Sequence, residues 1–362
     1  MKAQEKYWFY LNLLTQIRHD KLERILDFYG SPEELYFRDP AYLPETGEVL
    51  SLLEMSELQK YRNEEELDKL WEKLSLGGFR YVSREHPEFP ENLSEIPDCP
   101  FGLFVKGELP RRYTKKAAIV GARASTSYGK DAAHFFARCF AEAGIEVISG
   151  MALGVDGYAG RGAIAGKGKT YAVLAGGTDI CYPRENIDLY NSIPKGNGGI
   201  LSERPTGYRG IPRDFPLRNR IISGLADVTV VIEAAEKSGS LITVEKALSQ
   251  NRDVFALPGR VSDRMSRGCN ELLKSGAHVL TCPEDVIQYL GLAVEEETFM
   301  KPKPRLGTEE EAVYSLLSEE PVPVDTLLTR STMPVSELSA VLVSLEMKGV
   351  VKRAEGEGYR RV

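Results

Sequence analysis

The sequence predicts an α/β protein centred on a doubly wound, mostly parallel sheet, with a helical N-terminal segment and a small C-terminal unit. Three observations carry this. Short β-branched runs alternate with helical stretches from residue 115 to about 290. Those runs are too apolar for strands with one face in water. The formal charge also changes sign between the three parts of the 362-residue chain.

In residues 1–75, Tyr7, Trp8, Leu11, Leu14 and Ile17 recur at helical spacing, as do Leu22, Ile25, Leu26 and Tyr29. Gly30 stops that pattern and Ser31-Pro32 restarts it. The expectation is a helical, SAM/helix-hairpin-helix-like domain over 1–75. Its turn, T-Q-I-R-H-D, lacks the Gly-x-Gly that grips phosphate, so no DNA contact is assigned to it.

The middle part, 76–300, supplies the sheet. Its strands are predicted at 117–121, 146–150, 170–176, 199–203, 228–234 and 253–259, with a seventh at 278–281. Parallel strands need crossover helices, and Tyr128–Gly144, Val155–Ala165, Ser240–Gln250 and Pro283–Leu290 provide them. The architecture is Rossmann-like.

The third part, 301–362, opens on the linker K-P-K-P-R. Helices follow at Glu309–Ser318, Val324–Arg330 and Val335–Lys348, then a hairpin in which V-V-K-R and Y-R-R-V flank A-E-G-E-G. Three helices and a β-wing outline a winged-helix domain.

The whole chain has a formal charge of −7 and a pI near 5.5. Residues 1–75 hold 10 basic against 16 acidic side chains, and residues from 305 hold 7 against 10, leaving 29 against 27 between them. Only the middle suits an anionic partner. The acidic winged helix, without an arginine-rich third helix, suits packing or partner docking better than duplex DNA. No apolar run approaches the ~20 residues that span a bilayer, and the N-terminus has no secretory h-region, so a cytoplasmic, non-membrane protein is expected. The five cysteines are widely spaced with no C-x-x-C pair, which suits buried thiols and no metal site.

Ligands of such sheets bind at the carboxyl ends of the strands. The loops there are G-A-R-A-S-T-S-Y-G (121–129), S-G-M-A-L-G-V-D (149–156), A-G-G-T-D (175–179) and E-A-A-E-K-S-G-S-L-I-T (233–243). Glycine admits a ligand to the backbone, hydroxyls donate, and helix N-termini receive anions. Neither G-x-G-x-x-G nor G-x-x-x-x-G-K-[ST] occurs at these positions, so the expected ligand bears phosphate without being an obvious dinucleotide or P-loop nucleotide.

The stretch D-F-P-L-R-N-R-I-I-S-G (214–224) concentrates arginine in this acidic chain. Pro216 suits a first helical turn. Ile221, Ile222 and Leu225 then share a face with Arg218, which is expected at the rim, while Arg220 falls about 200° round and is expected to point outward. Arg218 could instead form a buried ion pair with Asp156 or Glu233, and the two roles can coexist. Arg123, Arg209 and Arg213 add guanidinium forks from neighbouring loops. Phe215 is either a stacking platform for an unpaired base or a core aromatic.

Taken together, V-G-A-R-A-S-T-S-Y-G, S-G-M-A-L-G-V-D, T-D-I-C-Y-P, I-L-S-E, F-P-L-R-N-R-I-I-S-G-L, S-G-S-L-I-T and F-A-L-P-G resemble the DNA-processing protein A family (DprA, also called Smf), over roughly residues 80 to 290. The lead-in R-Y-V-S-R-E-H-P-E-F-P-E-N-L (80–93) fits it too. The resemblance implies a cytoplasmic single-stranded DNA-binding protein that dimerises through the Rossmann-like domain and loads the RecA recombinase onto incoming strands in natural transformation. It implies no catalysis and no cofactor. On matching positions the pocket carries to Gly121, Arg123, Ser149, Gly150, Gly154, Arg218, Asn219 and Arg220; Lys237, Ser238, Gly239 and Ser240 line the same rim by the strand argument, with Asp156 nearby. Two positions depart from the family pattern: Ala122 stands where a serine is usual, and Gly160 where a histidine is usual. Two other functions stay open. One is a nucleoside-monophosphate hydrolase, of which S-G-S-L-I-T-V-E, ending in Glu245, is a faint echo. The other is a regulator acting on duplex DNA through the winged helix.

Overall fold

The computed structural model describes residues 3–38, 50–293, 306–331, 333–354 and 358–361. Contacts divide the chain into two compact units, Met1–Val294 and Glu295–Val362. The predicted linker 301–305 and the hairpin tip 355–357 lie outside the described residues.

In the first unit, α1 (Ala3–Leu13), α2 (His19–Tyr29), α3 (Pro32–Phe37), α4 (Leu52–Lys60) and α5 (Glu64–Leu76) precede the sheet. Ser31 caps α3 by accepting from Glu34 N, and Ser51 and Glu54 form a capping box on α4. The helices join the sheet through aromatic packing. Phe9 meets Tyr81 and Phe104, ring centroids 5.4 and 5.8 Å apart, and Tyr81 donates to Asn12 Oδ1 at 2.6 Å.

The rest of the unit runs β1 (Arg80–Ser83), α6 (Glu91–Ser94), β2 (Gly102–Gly107), β3 (Lys116–Val120), α7 (Ser127–Glu142), β4 (Glu146–Ser149), α8 (Val155–Ala165) and β5 (Thr170–Val173). It continues α9 (Ile187–Ser192), β6 (Gly198–Ser202), α10 (Asp214–Leu225), β7 (Val228–Val231), α11 (Ser240–Ser249), β8 (Asp253–Ala256), α12 (Arg267–Lys274), β9 (His278–Val279) and α13 (Glu284–Tyr289). Among the described residues the sheet has nine strands, ordered β1-β2-β6-β5-β4-β3-β7-β8-β9. The seven strands from β6 to β9 pair in parallel, and β1 and β2 extend that edge antiparallel. All seven predicted strands are present. The two antiparallel strands and the helices α6, α9 and α12 had no sequence expectation.

Strand order places the site. The chain winds outward from β3 to β6, then α10 carries it back across the sheet to β7 on the other side of β3. Alternate strand residues Ala118, Val120, Ile148 and Val173 form one core with Ile221, Ile222 and Leu225 of α10. The opposite strand face is buried too, with Ala172, Leu174 and Ile200 packing on Leu189 and Tyr190. Strands buried on both faces explain the continuous apolar runs.

The second unit contains α14 (Thr308–Leu316), α15 (Val324–Ser331), α16 (Val335–Met347) and an antiparallel wing of β10 (Val351–Ala354) and β11 (Gly358–Arg361). Leu338, Val341, Leu342 and Leu345 turn one face of α16 into its core. The exposed face presents Val343 and Met347, and no lysine or arginine occurs in the helix. This is a winged helix.

Candidate nucleic-acid interface

The start of α10 is held by a buried carboxylate. Asp214, 2% exposed, accepts from Ile211 N at 2.8 Å, Tyr208 Oη at 3.0 Å and Arg204 Nη2 at 3.1 Å, tying down the loop from 204 to 213. One turn on, Arg218 continues the buried stripe of Ile221 and Leu225 up to the carboxyl edge of the sheet. Its Nη1 donates to Gly150 O at 3.1 Å and to Val173 O, the chain ends of β4 and β5. Burial pulls the guanidinium down to about 10, against the opposing field of Asp156 and with help from Arg123.

Arg220 corrects the expectation. It does not point outward: it is 3% exposed, and Nη1 and Nη2 donate to the two oxygens of Glu203 at 3.1 and 2.6 Å. Its Nε donates to Asp98 O at 2.9 Å. The angular separation from Arg218 holds, but the second face of α10 is also covered, by the segment around Asp98 and by Glu203. Periodicity within one helix cannot reveal a distant segment that packs over its polar side.

Above the ends of β4 and β5 lies an open cavity of about 770 Å³. Arg123, Arg184, Arg209 and Arg218 line it with one carboxylate, Asp179. Arg123 lies 5.2 Å from the centroid of the Phe215 ring, and Phe215 meets Tyr182 at 5.6 Å and 60°. Tyr182 is 58% exposed, so a flat ring has room to stack beside this aromatic corner. Two glycines make the cavity possible. A Cβ on Gly176 would lie 3.0 Å from Tyr208 O and Gly210 N, and one on Gly177 would lie 2.5 Å from Pro205 O. The 204–213 loop can therefore close over β5 and deliver Arg209 to the wall.

Carboxylates of the protein itself occupy part of the glycine-rich loops that lead into α7 and α8. At the switch between β3 and β7, Glu233 fills the start of α7: Thr126 N and Oγ1 donate to its carboxylate at 2.9 and 2.6 Å. A Cβ on Gly129 would lie 2.2 Å from Glu233 Oε2, which explains that glycine. At β4, Gly150 N and Ala152 N donate to Asp156 Oδ2 at 3.0 and 3.4 Å, and burial raises Asp156 despite Arg218. Internal carboxylates thus take these three backbone amides, while guanidinium groups line the cavity.

The remaining predicted residues divide accordingly. Gly121 and Gly154 are packing glycines: a Cβ would lie 2.7 Å from Val155 Cγ2 at the first and 2.3 Å from Ala122 O at the second, where φ is +71°. Ser149 is 3% exposed and donates to Ile119 O at 2.8 Å, so its hydroxyl does not reach the cavity. Asn219 accepts from Arg218 Nε at 3.3 Å. Gly150, Arg209 and Phe215 line the cavity, whereas Arg213 lines a second one, of about 520 Å³, beside α1 and α2. Lys237, Ser238, Gly239 and Ser240 follow β7 further along the same edge, outside the cavity lining, with the hydroxyls of Ser238 and Ser240 2.7 Å apart. Glu245 is exposed on α11, also outside the lining. Arg184 and Tyr182 were missed, and Asp179 entered only as the end of the 175–179 loop, although T-D-I-C-Y-P-R follows β5 and the carboxyl-end rule pointed there.

The fold and this edge define a Rossmann-like protein with an arginine-lined cavity at the carboxyl edge of its sheet, in a chain that also carries a winged helix. Residues 80–291 match the family "DNA recombination-mediator protein A" and residues 297–357 match "DprA winged helix domain". The chain belongs to the DNA recombination-mediator protein A (DprA) family. Protein Smf of Escherichia coli (strain K12) is 31% identical over 363 residues, covering 98% of this chain and 95% of that one. The solved DNA processing protein A of Streptococcus pneumoniae superposes with a TM-score of 0.68 at 31% identity, over 80% of this chain and 98% of that one. DNA processing protein A of Helicobacter pylori, described for its unique single-stranded DNA binding mode, gives 0.53 at 31% identity, over 59% of this chain and 95% of that one. Among the described residues no helix is long and apolar enough to cross a membrane, and no cluster of three or more His, Cys, Asp or Glu could hold a metal ion.

Proposed function

We propose that this chain binds single-stranded DNA along the carboxyl edge of its sheet and passes it to the RecA recombinase, in natural transformation or recombination. It acts by binding, without catalysis, as a homodimer through the Rossmann-like unit. One observation carries the reading: four guanidinium groups and a single carboxylate line one open cavity in a chain of charge −7. Guanidinium forks match phosphate, and Tyr182 and Phe215 offer ring faces to unpaired bases. Lys237 and the small residues after β7 extend the same edge. The Helicobacter pylori relative, described for binding single-stranded DNA, and the family's name as a recombination mediator support the same direction.

The test is a titration of labelled single-stranded and duplex oligonucleotides with the full chain and with a chain ending before Lys303. Single strands should bind more tightly than duplex, and the shortened chain should keep its affinity. Duplex preference that disappears with the winged helix would overturn the assignment. Adding RecA to the protein–oligonucleotide complex should produce a ternary species, whose absence removes the loading step.

A further inference from the structure

Asp179 has no place in a site built only for phosphate. Beside Arg123, Arg184, Arg209 and Arg218 it lowers the very potential that would attract an anion. Its carboxylate is fixed in place: Gly207 N donates to Oδ1 at 2.9 Å and to Oδ2 at 3.0 Å. Two carboxylate oxygens offer about four acceptor positions, so one backbone amide leaves capacity on both. The side chain is exposed, and it stands three residues before Tyr182 on the loop that forms the aromatic corner. The lining also includes the apolar side chains of Leu153, Ile180 and Ile187. The lining therefore offers guanidinium groups to phosphate and, for a base, the Tyr182–Phe215 ring pair, apolar side chains and one acceptor-only group.

We propose that Asp179 reads the base of a nucleotide held in this cavity and that the base it favours is guanine. Guanine alone presents two adjacent donors, N1–H and the 2-amino group, which match the two oxygens of a carboxylate. Thymine offers one ring N–H between two carbonyls that a carboxylate repels. Adenine and cytosine each offer an amino group beside an acceptor nitrogen. The inference rests on the strand occupying the cavity as proposed above. It adds a preference at one nucleotide to binding that is otherwise indifferent to sequence, because phosphate contacts carry no base information.

The test uses the full chain and fluorescence anisotropy with oligo-dT, with the same oligomer carrying one central dG, and with one carrying central deoxyinosine, which lacks the 2-amino group. The single dG should tighten binding on the order of fivefold, the lower end of what a paired base contact discriminates, and deoxyinosine should return most of that gain. In Asp179→Asn the dG advantage should vanish while oligo-dT binds at least as tightly, since a negative charge has left the cavity. The amide oxygen can still accept from Gly207 N, so the loop remains supported. Equal affinity for the three oligomers in the wild-type chain overturns the inference even if the variant fails to fold. A dG advantage that survives in Asp179→Asn overturns the role of this residue. Failure of every oligomer to bind would instead remove the underlying single-strand reading.

Discussion

Arg218 and Arg220 stand two residues apart on α10 in opposite settings. Arg218 is anchored to the carbonyls of Gly150 and Val173 at the floor of an open cavity, while Arg220 grips Glu203 with both terminal nitrogens. On the proposed reading the same side chain serves binding at one position and stability at the other, and substitutions should separate the two.

Arg220→Ala leaves the largely enclosed Glu203 carboxylate without its two-nitrogen partner. Breaking such a pair is predicted to lower stability by about 3–5 kcal/mol, read from the urea midpoint of the folded chain. A variant within about 1 kcal/mol of wild type would show that solvent already shields the pair. Arg218→Ala should weaken oligonucleotide binding for all sequences alike, in samples verified as folded.

Gly129→Ala should be destabilising although alanine favours helices. The new Cβ would stand 2.2 Å from Glu233 Oε2, displacing the carboxylate that holds Thr126, the N-cap of α7. Overpacking of this kind costs about 1–3 kcal/mol, visible as a lower Tm. Combining it with Glu233→Ala should cost less than the two single changes summed, because the collision is then gone. Strict additivity would show that the two sites do not meet.

Acid should loosen the Glu203 network. Burial alone would raise this carboxyl, but Arg220, His19 and Arg204 outweigh it and hold it at about 2, below its ordinary 4.5. A depressed carboxylate contributes stability that is fully present above the unfolded value and is lost as pH falls from about 4.5 towards 2, amounting to about 3 kcal/mol. Glu203→Gln should flatten the pH dependence of unfolding across that window. An unchanged profile would assign the acid sensitivity to other carboxylates.

Phe215→Ala removes a stacking face and the ring under Arg123. Binding to single strands should weaken by about 1–3 kcal/mol, the worth of one base–aromatic stack, whereas Phe215→Tyr should keep most of it. Equal losses in both variants would point to a packing role.

The parallel sheet was legible because strands buried on both faces leave unbroken apolar runs, as in A-A-I-V-G and V-T-V-V-I-E-A. The edge strands β1 and β2 were not, since their pairing joins Arg80–Ser83 to Gly102–Val105 through contacts that no local period records. In the site, Arg218 was legible from its own helix, because the stripe it extends is formed by near neighbours. The burial of Arg220 depends on Glu203 and on Asp98, 122 residues away, and so escaped. The glycine-rich loops were placed at the right edge of the sheet. What fills their amides, Glu233 and Asp156, emerges only when β7 is set beside β3 and the β4 loop folds back on α8.

The central claim is that guanidinium groups over the ends of β4 and β5 hold the backbone of an unpaired strand. Its most direct test is the salt dependence of oligonucleotide affinity in wild type and in Arg123→Ala/Arg209→Ala, whose two arginines are exposed. Three or four phosphates neutralised on a single strand give a slope of log affinity against log salt of about −2 to −3, and losing two contacts should make it shallower by about 1.4. Equal slopes and equal affinities in the two proteins would contradict the account.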